Sequence, residues 1–317
     1  MKHLLILFTI LTLISCRQGS RQKQQADTPP VITVTIEPLR NWTEAIAGNR
    51  FQVVSMVPKG SSPETYDPTP QQLADLTHSC AYLSTGYLGF EQTWHERLKQ
   101  NAPHLTFFEL SQGIDLIYSH SHTPHTQHPG NYEEEESHTP GVEPHLWMSV
   151  VNARIIVRNI CTSLCSLAPS HQAEFRHRTD SLCRQLDKLD SYLRSFLSAS
   201  DADSTFLIYH PALSYFARDY GLRQISIEAD GKEPSAAQLK SVIDQCKREM
   251  VSVIFVQPEF DQRNAKLIAK EIAAIIVSIN PLDYHWEQEM RNIAEHLNIS
   301  RLTDIHLLEE TGRPTAR

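Results

Sequence analysis

Short apolar runs alternate along the chain with longer stretches in which apolar residues recur every three or four positions. The short runs predict β-strands, and the longer stretches predict helices. Strands are predicted at residues 31–36, 52–57, 81–85, 106–110, 205–209, 224–227, 251–256 and 275–279. Helices are predicted between them at residues 71–78, 90–100, 212–220, 236–249 and 264–273. Such alternation is typical of parallel sheets, so the pattern predicts an α/β protein with two similar lobes built on central, mostly parallel sheets.

Residues 172–197 form the longest helical pattern and lie between the two halves. The stretch contains no Gly or Pro, and Pro169-Ser170 makes a plausible start. Its apolar residues recur mostly three or four positions apart, at Phe175, Leu182, Leu186, Leu189, Leu193 and Leu197. A helix of about 26 residues spans about 39 Å. The pattern predicts one long, rigid helix that bridges the lobes; a helix packed inside one lobe is the alternative.

The N-terminus has the pattern of a targeting segment. An apolar run at residues 4–14 is too short to span a bilayer as a helix, but it suits the core of a signal peptide. It stops just before Cys16, in a context that resembles the bacterial lipobox; an ordinary signal peptide with a chance cysteine is the alternative. We expect a lipoprotein signal peptide over residues 1–16, lipidation of Cys16, and a flexible polar tether over residues 17–30.

Length and charge limit the remaining possibilities. A chain of 317 residues suits two domains of ordinary size. We expect an N-terminal lobe at residues 31–168, the linker helix at 169–198 and a C-terminal lobe at 199–317. The formal net charge of −8 argues against a nucleic-acid partner. The five cysteines beyond Cys16 include no C-x-x-C pair, so we interpret them as small buried side chains.

Histidines are concentrated in one low-complexity segment, residues 120–138, which reads HSHTPHTQHPGNYEEEESH. Its prolines and glycine oppose regular structure, so we interpret it as a mobile loop inserted into the first lobe. His-rich tracts bind divalent transition metals weakly and at several places, whereas a merely solvated polar loop is the alternative. The histidines of this accessory metal loop are His120, His122, His125, His128 and His138.

Candidate metal ligands stand just beyond the ends of predicted strands. Glu64, His210 and Asn280 occupy such positions, where open parallel sheets bind their ligands, and His145 stands in a further segment. Taken singly, a histidine after a strand is more often structural, and Glu64 could cap a nearby helix. Two imidazoles and one carboxylate together suit zinc, and they also suit manganese or iron.

Four segments resemble the solute-binding proteins of zinc and manganese ABC importers. That family shows P-x-G-x-x-P-H-x-Y-x-P, D-P-H-x-W, H-x-A-x-x-Y-F-A-x-x-Y-G-L and D-P-L stretches, and typically E-P-S before a helix. This chain reads PKGSSPETYDP from residue 58, EPHLW from 143, HPALSYFARDYGL from 210, NPL from 280 and EPS from 233. The order and spacing match over about residues 31–298. The resemblance therefore covers most of the chain.

The resemblance implies metal ligation by His145 and His210. It places Glu64 where the family has a histidine, and Asn280 where the family has an aspartate; Asp283 is a further candidate for the fourth position. Family members with a His- and acid-rich loop are usually zinc proteins. The resemblance thus implies a monomeric, extracytoplasmic carrier without enzymatic activity that captures zinc, or alternatively manganese or iron, and passes it to an ABC permease.

Two other classes of function remain open. A zinc-dependent hydrolase also uses two histidines, a carboxylate and an open position, but no H-E-x-x-H occurs and the candidate ligands come from separated segments. A cell-adhesion module is the second alternative, although no repeat or exposed apolar pattern supports it. A serine hydrolase would be expected to show G-x-S-x-G, which is missing from the sequence.

Overall fold

The structure is a computed structural model that describes residues 28–119, 141–198, 204–228 and 234–298. Its strands are β1 (Val31–Val34), β2 (Gln52–Ser55), β3 (Ser79–Ser84), β4 (Thr106–Glu109), β5 (Tyr118–Ser119), β6 (Gly141–Val142), β7 (Thr205–Ile208), β8 (Arg223–Ser226), β9 (Val253–Val256) and β10 (Ile275–Ser278). Its helices are α1 (Glu37–Ala47), α2 (Pro70–Leu76), α3 (Gly89–Asn101), α4 (Val150–Leu167), α5 (Gln172–Leu197), α6 (Ser214–Tyr220), α7 (Ala236–Arg248), α8 (Arg263–Ile272) and α9 (Trp286–His296).

Each lobe is built on a four-stranded parallel sheet with the same strand order. The first sheet runs β2-β1-β3-β4 and the second runs β8-β7-β9-β10. In both sheets the first and third strands of the lobe are neighbours, and the strand order reverses between them. Open α/β sheets bind their ligands beside such a switch point, at the carboxyl ends of the strands. The inner strands β7 and β9 are buried along their whole length, because helices cover both faces of a parallel sheet. The predicted fold class is therefore confirmed.

The eight predicted strands are all present, with ends that differ by one or two residues. The strand predicted at residues 31–36 stops at Val34, because α1 begins at Glu37 with Pro38 in its first turn. Three helices were not anticipated: α1, α4 and α9. Helix α4 is long and apolar enough to cross a membrane, but half of it is buried inside the protein, where it packs against α1 and α5. Its buried apolar residues nevertheless recur three or four positions apart, at Val150, Ala153, Val157, Ile160 and Leu164, so the sequence does carry the period of a helix here.

Helix α5 begins and ends at the predicted residues, and it contacts both lobes. Near its start, the Phe175 ring packs on Phe51 of the N-terminal lobe, with ring centroids 6.3 Å apart. Near its end, Asp190 accepts a hydrogen bond from the Tyr220 hydroxyl of α6 at 3.0 Å. The alternative of a helix packed inside one lobe is therefore wrong.

The lobes also contact each other directly, through α9. Trp286 at the start of α9 lies against Trp42 of α1 in an edge-to-face arrangement, with centroids 5.1 Å apart, and both rings are 2% exposed. Beside them, the Tyr284 hydroxyl donates to the Glu44 carboxylate at 2.6 Å. One hydrophobic core consequently runs from the first sheet through α5 and α9 into the second lobe.

Several predictions fall outside the described residues or are not tested by the structure. The signal peptide at residues 1–16, Cys16, most of the tether at 17–30 and the five loop histidines lie outside the described residues. The boundaries at residues 168 and 198 stay predictions. The five described cysteines carry free thiols; Cys161 and Cys246 are buried and the other three are partly buried.

Candidate metal centre

Glu64, His145 and His210 converge between the two lobes. One ligand atom from each side chain lies within 4.8 Å of the other two. The Nε2 atoms of His145 and His210 face each other at 3.2 Å, and Glu64 Oε1 lies 3.8 Å from His145 Nε2. Three residues that are 65 or more positions apart in the chain thus present their donor atoms to one point.

The start of α3 holds Glu64 in place. The Gly89 N–H donates to Glu64 Oε2 at 3.3 Å, and the Phe90 N–H donates to the Pro63 carbonyl at 2.9 Å. A Cβ at residue 89 would lie 2.4 Å from the Glu64 carbonyl oxygen, so only glycine allows this approach. Glu64 does not cap the helix that starts nearby in the sequence, because Thr69 caps α2. It accepts a hydrogen bond from the start of α3 instead, and with one carboxylate oxygen only.

The other oxygen, Glu64 Oε1, is buried and has no hydrogen-bond partner among the described residues. Leaving a buried acceptor unsatisfied costs about 1–3 kcal/mol, and more for a charged group. The atom points to the two imidazole nitrogens. A cation at this point would supply the missing partner.

His145 lies in the turn between β6 and α4 and is 5% exposed. Its Nδ1 is 2.5 Å from the Glu143 carboxylate, which also accepts the His145 backbone N–H at 3.0 Å. Burial disfavours protonation of the ring, but the Glu143 carboxylate outweighs it and holds the pKa of His145 above its usual value. A carboxylate on Nδ1 fixes the proton there, so Nε2 presents its lone pair to the centre.

His210 follows β7 and is oriented in the same way. Its Nδ1 lies 2.9 Å from the carboxylate of Glu228, a buried residue just after β8. Burial and the neighbouring His145 ring lower the pKa of His210, and Glu228 opposes that shift only in part. The ring is therefore neutral at physiological pH, which is the form that binds metal.

The three donors enclose a small cavity of about 30 Å³. Its lining is largely apolar and consists of Ser62, Pro63, Glu64, His145, Trp147, His210, Ala212, Gln257, Glu259, Phe260, Pro281 and Leu282. A cavity must offer at least about 10–15 Å³ to hold one water. This one accommodates a single ion with one or two waters.

The spacing of the donors fits a tetrahedral metal ion. Zinc binds histidine nitrogen and carboxylate oxygen at about 2.0–2.2 Å, so neighbouring donors of a tetrahedral site lie about 3.3–3.6 Å apart. Two of the three separations, 3.2 Å and 3.8 Å, lie on either side of that range, and the third is within 4.8 Å. Two imidazoles and a carboxylate are also the donor types that zinc takes.

The structure does not bring Asn280 and Asp283 to this cluster. Both line a neighbouring cavity, which they share with Lys59 and Tyr284. Asn280 Oδ1 accepts the Leu282 N–H at 3.1 Å, and its Nδ2 donates to Asp283 at 3.3 Å. Asp283 in turn accepts the His285 N–H at 2.7 Å. Their hydrogen-bonding atoms are thus engaged in a local turn.

The sequence interpretation missed the carboxylates that orient the two rings. Glu143 stands two residues before His145 in the same motif, and Glu228 follows β8, so the strand-end rule applied to Glu64 could have found it. It also missed the segment beside His210, where burial raises the pKa of Glu259.

Sequence comparisons were made once this geometry was known. The family model for zinc-uptake complex component A, periplasmic (ZnuA), matches residues 32–298. The zinc-binding protein AdcA of Streptococcus pyogenes serotype M3 is 25% identical over 311 residues, which cover 95% of this chain and 60% of AdcA. The zinc-binding lipoprotein AdcA of Streptococcus pneumoniae strain R6 is 26% identical over 298 residues, covering 91% of this chain and 56% of that protein. The chain therefore spans about 60% of the length of these streptococcal relatives.

The fold was also compared with solved structures. The crystal structure of ZnuA matches with a TM-score of 0.76 and 31% identity, covering 86% of this chain and 98% of that one. The match includes both lobes and the helix between them, because it extends over nearly all of the ZnuA chain.

Proposed function

Because the chain belongs to the ZnuA family of zinc-uptake complex components, we propose that it captures one zinc ion between its lobes and delivers it to an ABC-type membrane permease. The observation that carries this proposal is the convergence of Glu64, His145 and His210 within 4.8 Å. The names of the streptococcal relatives, which are zinc-binding proteins, support zinc as the cargo. Manganese or iron are the alternatives to be tested.

The size of the cavity favours capture over catalysis. Pockets that bind small organic molecules enclose about 300–1,000 Å³. The cavity beside the two histidines measures about 30 Å³, about a tenth of the smallest of these pockets. Both the small cavity volume and the lack of an H-E-x-x-H motif therefore argue against the hydrolase alternative.

To release the ion, the protein must move its ligands apart. This can happen by a motion of the lobes, because the ligands come from both of them. Glu64 and His145 belong to the N-terminal lobe, and His210 belongs to the C-terminal lobe. The Trp147 indole N–H donates across the interface to the Pro281 carbonyl at 2.7 Å, and the Ser214 hydroxyl donates to the Glu143 carboxylate at 3.1 Å. A small tilt of one lobe, driven by the permease, would break these contacts and open the site.

We expect the metal-free protein to bind one zinc ion per chain tightly, and to bind manganese and iron more weakly. Two imidazoles are better ligands for zinc than for manganese, which favours oxygen donors. Competition titration against a chelator, with elemental analysis, measures both quantities. A chain lacking residues 120–138 serves as the control and should keep this one site. Absence of tight metal binding, or its loss in the deletion, would contradict the proposed site.

We also propose that the protein is anchored to a membrane through lipid on Cys16, which lies outside the described residues. The apolar run that ends at this cysteine and the lipoprotein relative of Streptococcus pneumoniae support it. Replacing Cys16 with Ala is expected to abolish incorporation of labelled fatty acid and to leave the protein in the soluble fraction. Cys80→Ala is the matched control and should remain labelled. Continued labelling of the Cys16 variant would show that the anchor is elsewhere.

A further inference from the structure

Both ends of the segment at residues 257–260 contact His210. The Gln257 side chain donates to the His210 carbonyl at 2.7 Å and accepts the His210 N–H at 3.3 Å. Three residues later, the Phe260 ring stacks on the His210 imidazole, with centroids 5.1 Å apart and planes inclined by 15°. These two contacts therefore fix the position of the backbone between them relative to the His210 ring.

Glu259 lies between these two contacts, and it lines the same cavity as the three converging ligands. Glu64 and Glu259 are the two carboxylate side chains of that lining. Glu259 is partly buried, and in the described ranges its carboxylate forms no ion pair with Lys, Arg or His. Withdrawing a carboxylate from water without a facing cation is unfavourable. The cavity thus contains an anionic donor that lacks a cation.

In this structure, the residue at the position that the family resemblance assigns to a fourth ligand does not line the cavity of the three converging donors. Asn280 is a neutral amide, it lines a different cavity, and its oxygen already accepts the Leu282 N–H. Structural zinc sites are almost always four-coordinate. The three converging donors therefore leave one coordination position for another group.

We propose, on the basis of the zinc-capture function above, that Glu259 supplies the fourth protein ligand of the captured ion in place of residue 280. Glu259 lies outside the 4.8 Å group in this structure, so its side chain turns toward the two Nε2 atoms when the ion enters. Each lobe then contributes two ligands: Glu64 and His145 from the first, His210 and Glu259 from the second. A set of two imidazoles and two carboxylates also brings the charge of the ion and its direct ligands to zero.

The test uses two variants of the full protein that remove the same charge from the same loop. Glu259→Gln replaces the proposed ligand with a neutral side chain of equal size. Asp261→Asn is the matched control, because Asp261 is paired with Arg263 and does not line the cavity. Zinc affinity is measured by chelator competition, and Co²⁺ is used as a probe because its visible absorption is strong in four-coordinate sites and weak at higher coordination.

We expect Glu259→Gln to weaken zinc binding by at least about 10-fold, the lower end of the loss from removing an outer-shell partner, and to change the Co²⁺ spectrum. Asp261→Asn should leave both measurements unchanged. Equal affinities in the two variants, or a weakened Glu259 variant with an unaltered Co²⁺ spectrum, would overturn the ligand role while zinc capture stands. Failure of the unmodified protein to bind zinc would overturn both proposals.

Discussion

Replacing His210 with Ala is expected to abolish tight zinc binding. The Nε2 atom of His210 lies 3.2 Å from that of His145, and its removal leaves the C-terminal lobe without an imidazole at the centre. Loss of an outer-shell partner alone weakens metal binding about 10–100-fold, so loss of a direct ligand should exceed about 100-fold. Chelator competition measures the affinity.

A second readout of this variant is thermal stability. A ligand that binds only the folded state stabilises it by about 4.1 kcal/mol at 1,000 times its dissociation constant, so zinc should raise the Tm of the unmodified protein. That rise should disappear in His210→Ala. His104→Ala is the control, because His104 is exposed and distant in sequence from the motifs. If both variants keep the zinc-dependent rise, His210 is not a ligand.

Replacing Trp286 with Ala is expected to destabilise the whole protein by about 3–5 kcal/mol, the usual cost of deleting a buried aromatic side chain. The ring is 2% exposed and lies edge-to-face on Trp42, where α9 meets α1 of the other lobe. A cavity at this point would weaken the direct contact between the lobes. Equilibrium unfolding in denaturant measures the free energy of unfolding.

Trp94→Ala is the matched control for this prediction. Trp94 is partly exposed on α3, where its indole N–H donates to Asp67 at 2.9 Å and its ring lies under Arg97. Losing one hydrogen bond and one exposed cation–π contact should cost about 1–2 kcal/mol. An equal loss in both variants would mean that the Trp42–Trp286 contact makes no special contribution to the stability of the two lobes.

The apolar pattern of the sequence is enough to predict the linker helix and the two sheets. Helix α5 has one buried face and a long polar face, so its periodicity is clear and both of its ends are predicted correctly. Helix α4 has a comparable apolar period, so its pattern was also sufficient to predict a helix, although none was predicted there. The buried residues of this period are Val150, Ala153, Val157, Ile160 and Leu164. Both helices are therefore encoded in the apolar period of the sequence.

The candidate site was predictable only in part. Glu64, His145 and His210 each stand in a recognisable motif, and the structure brings their donor atoms together. Glu143 stands only two residues before His145. The pairing of His210 with Glu228, by contrast, depends on which segments the fold places side by side, so it could not be read from spacing alone. The same holds for Glu259, whose approach to the cavity depends on contacts of Gln257 and Phe260 with His210.

The small volume of the cavity has a consequence for hydration. An ion that enters about 30 Å³ must shed nearly all of its bound water and exchange it for imidazole and carboxylate. Magnesium loses water reluctantly and demands an octahedral shell, and calcium takes six to eight oxygen ligands. The centre offers too few positions for either coordination shell and too little room for an ion that keeps several waters. Dehydration thus discriminates against the two most abundant divalent cations before the chemistry of the donors is considered.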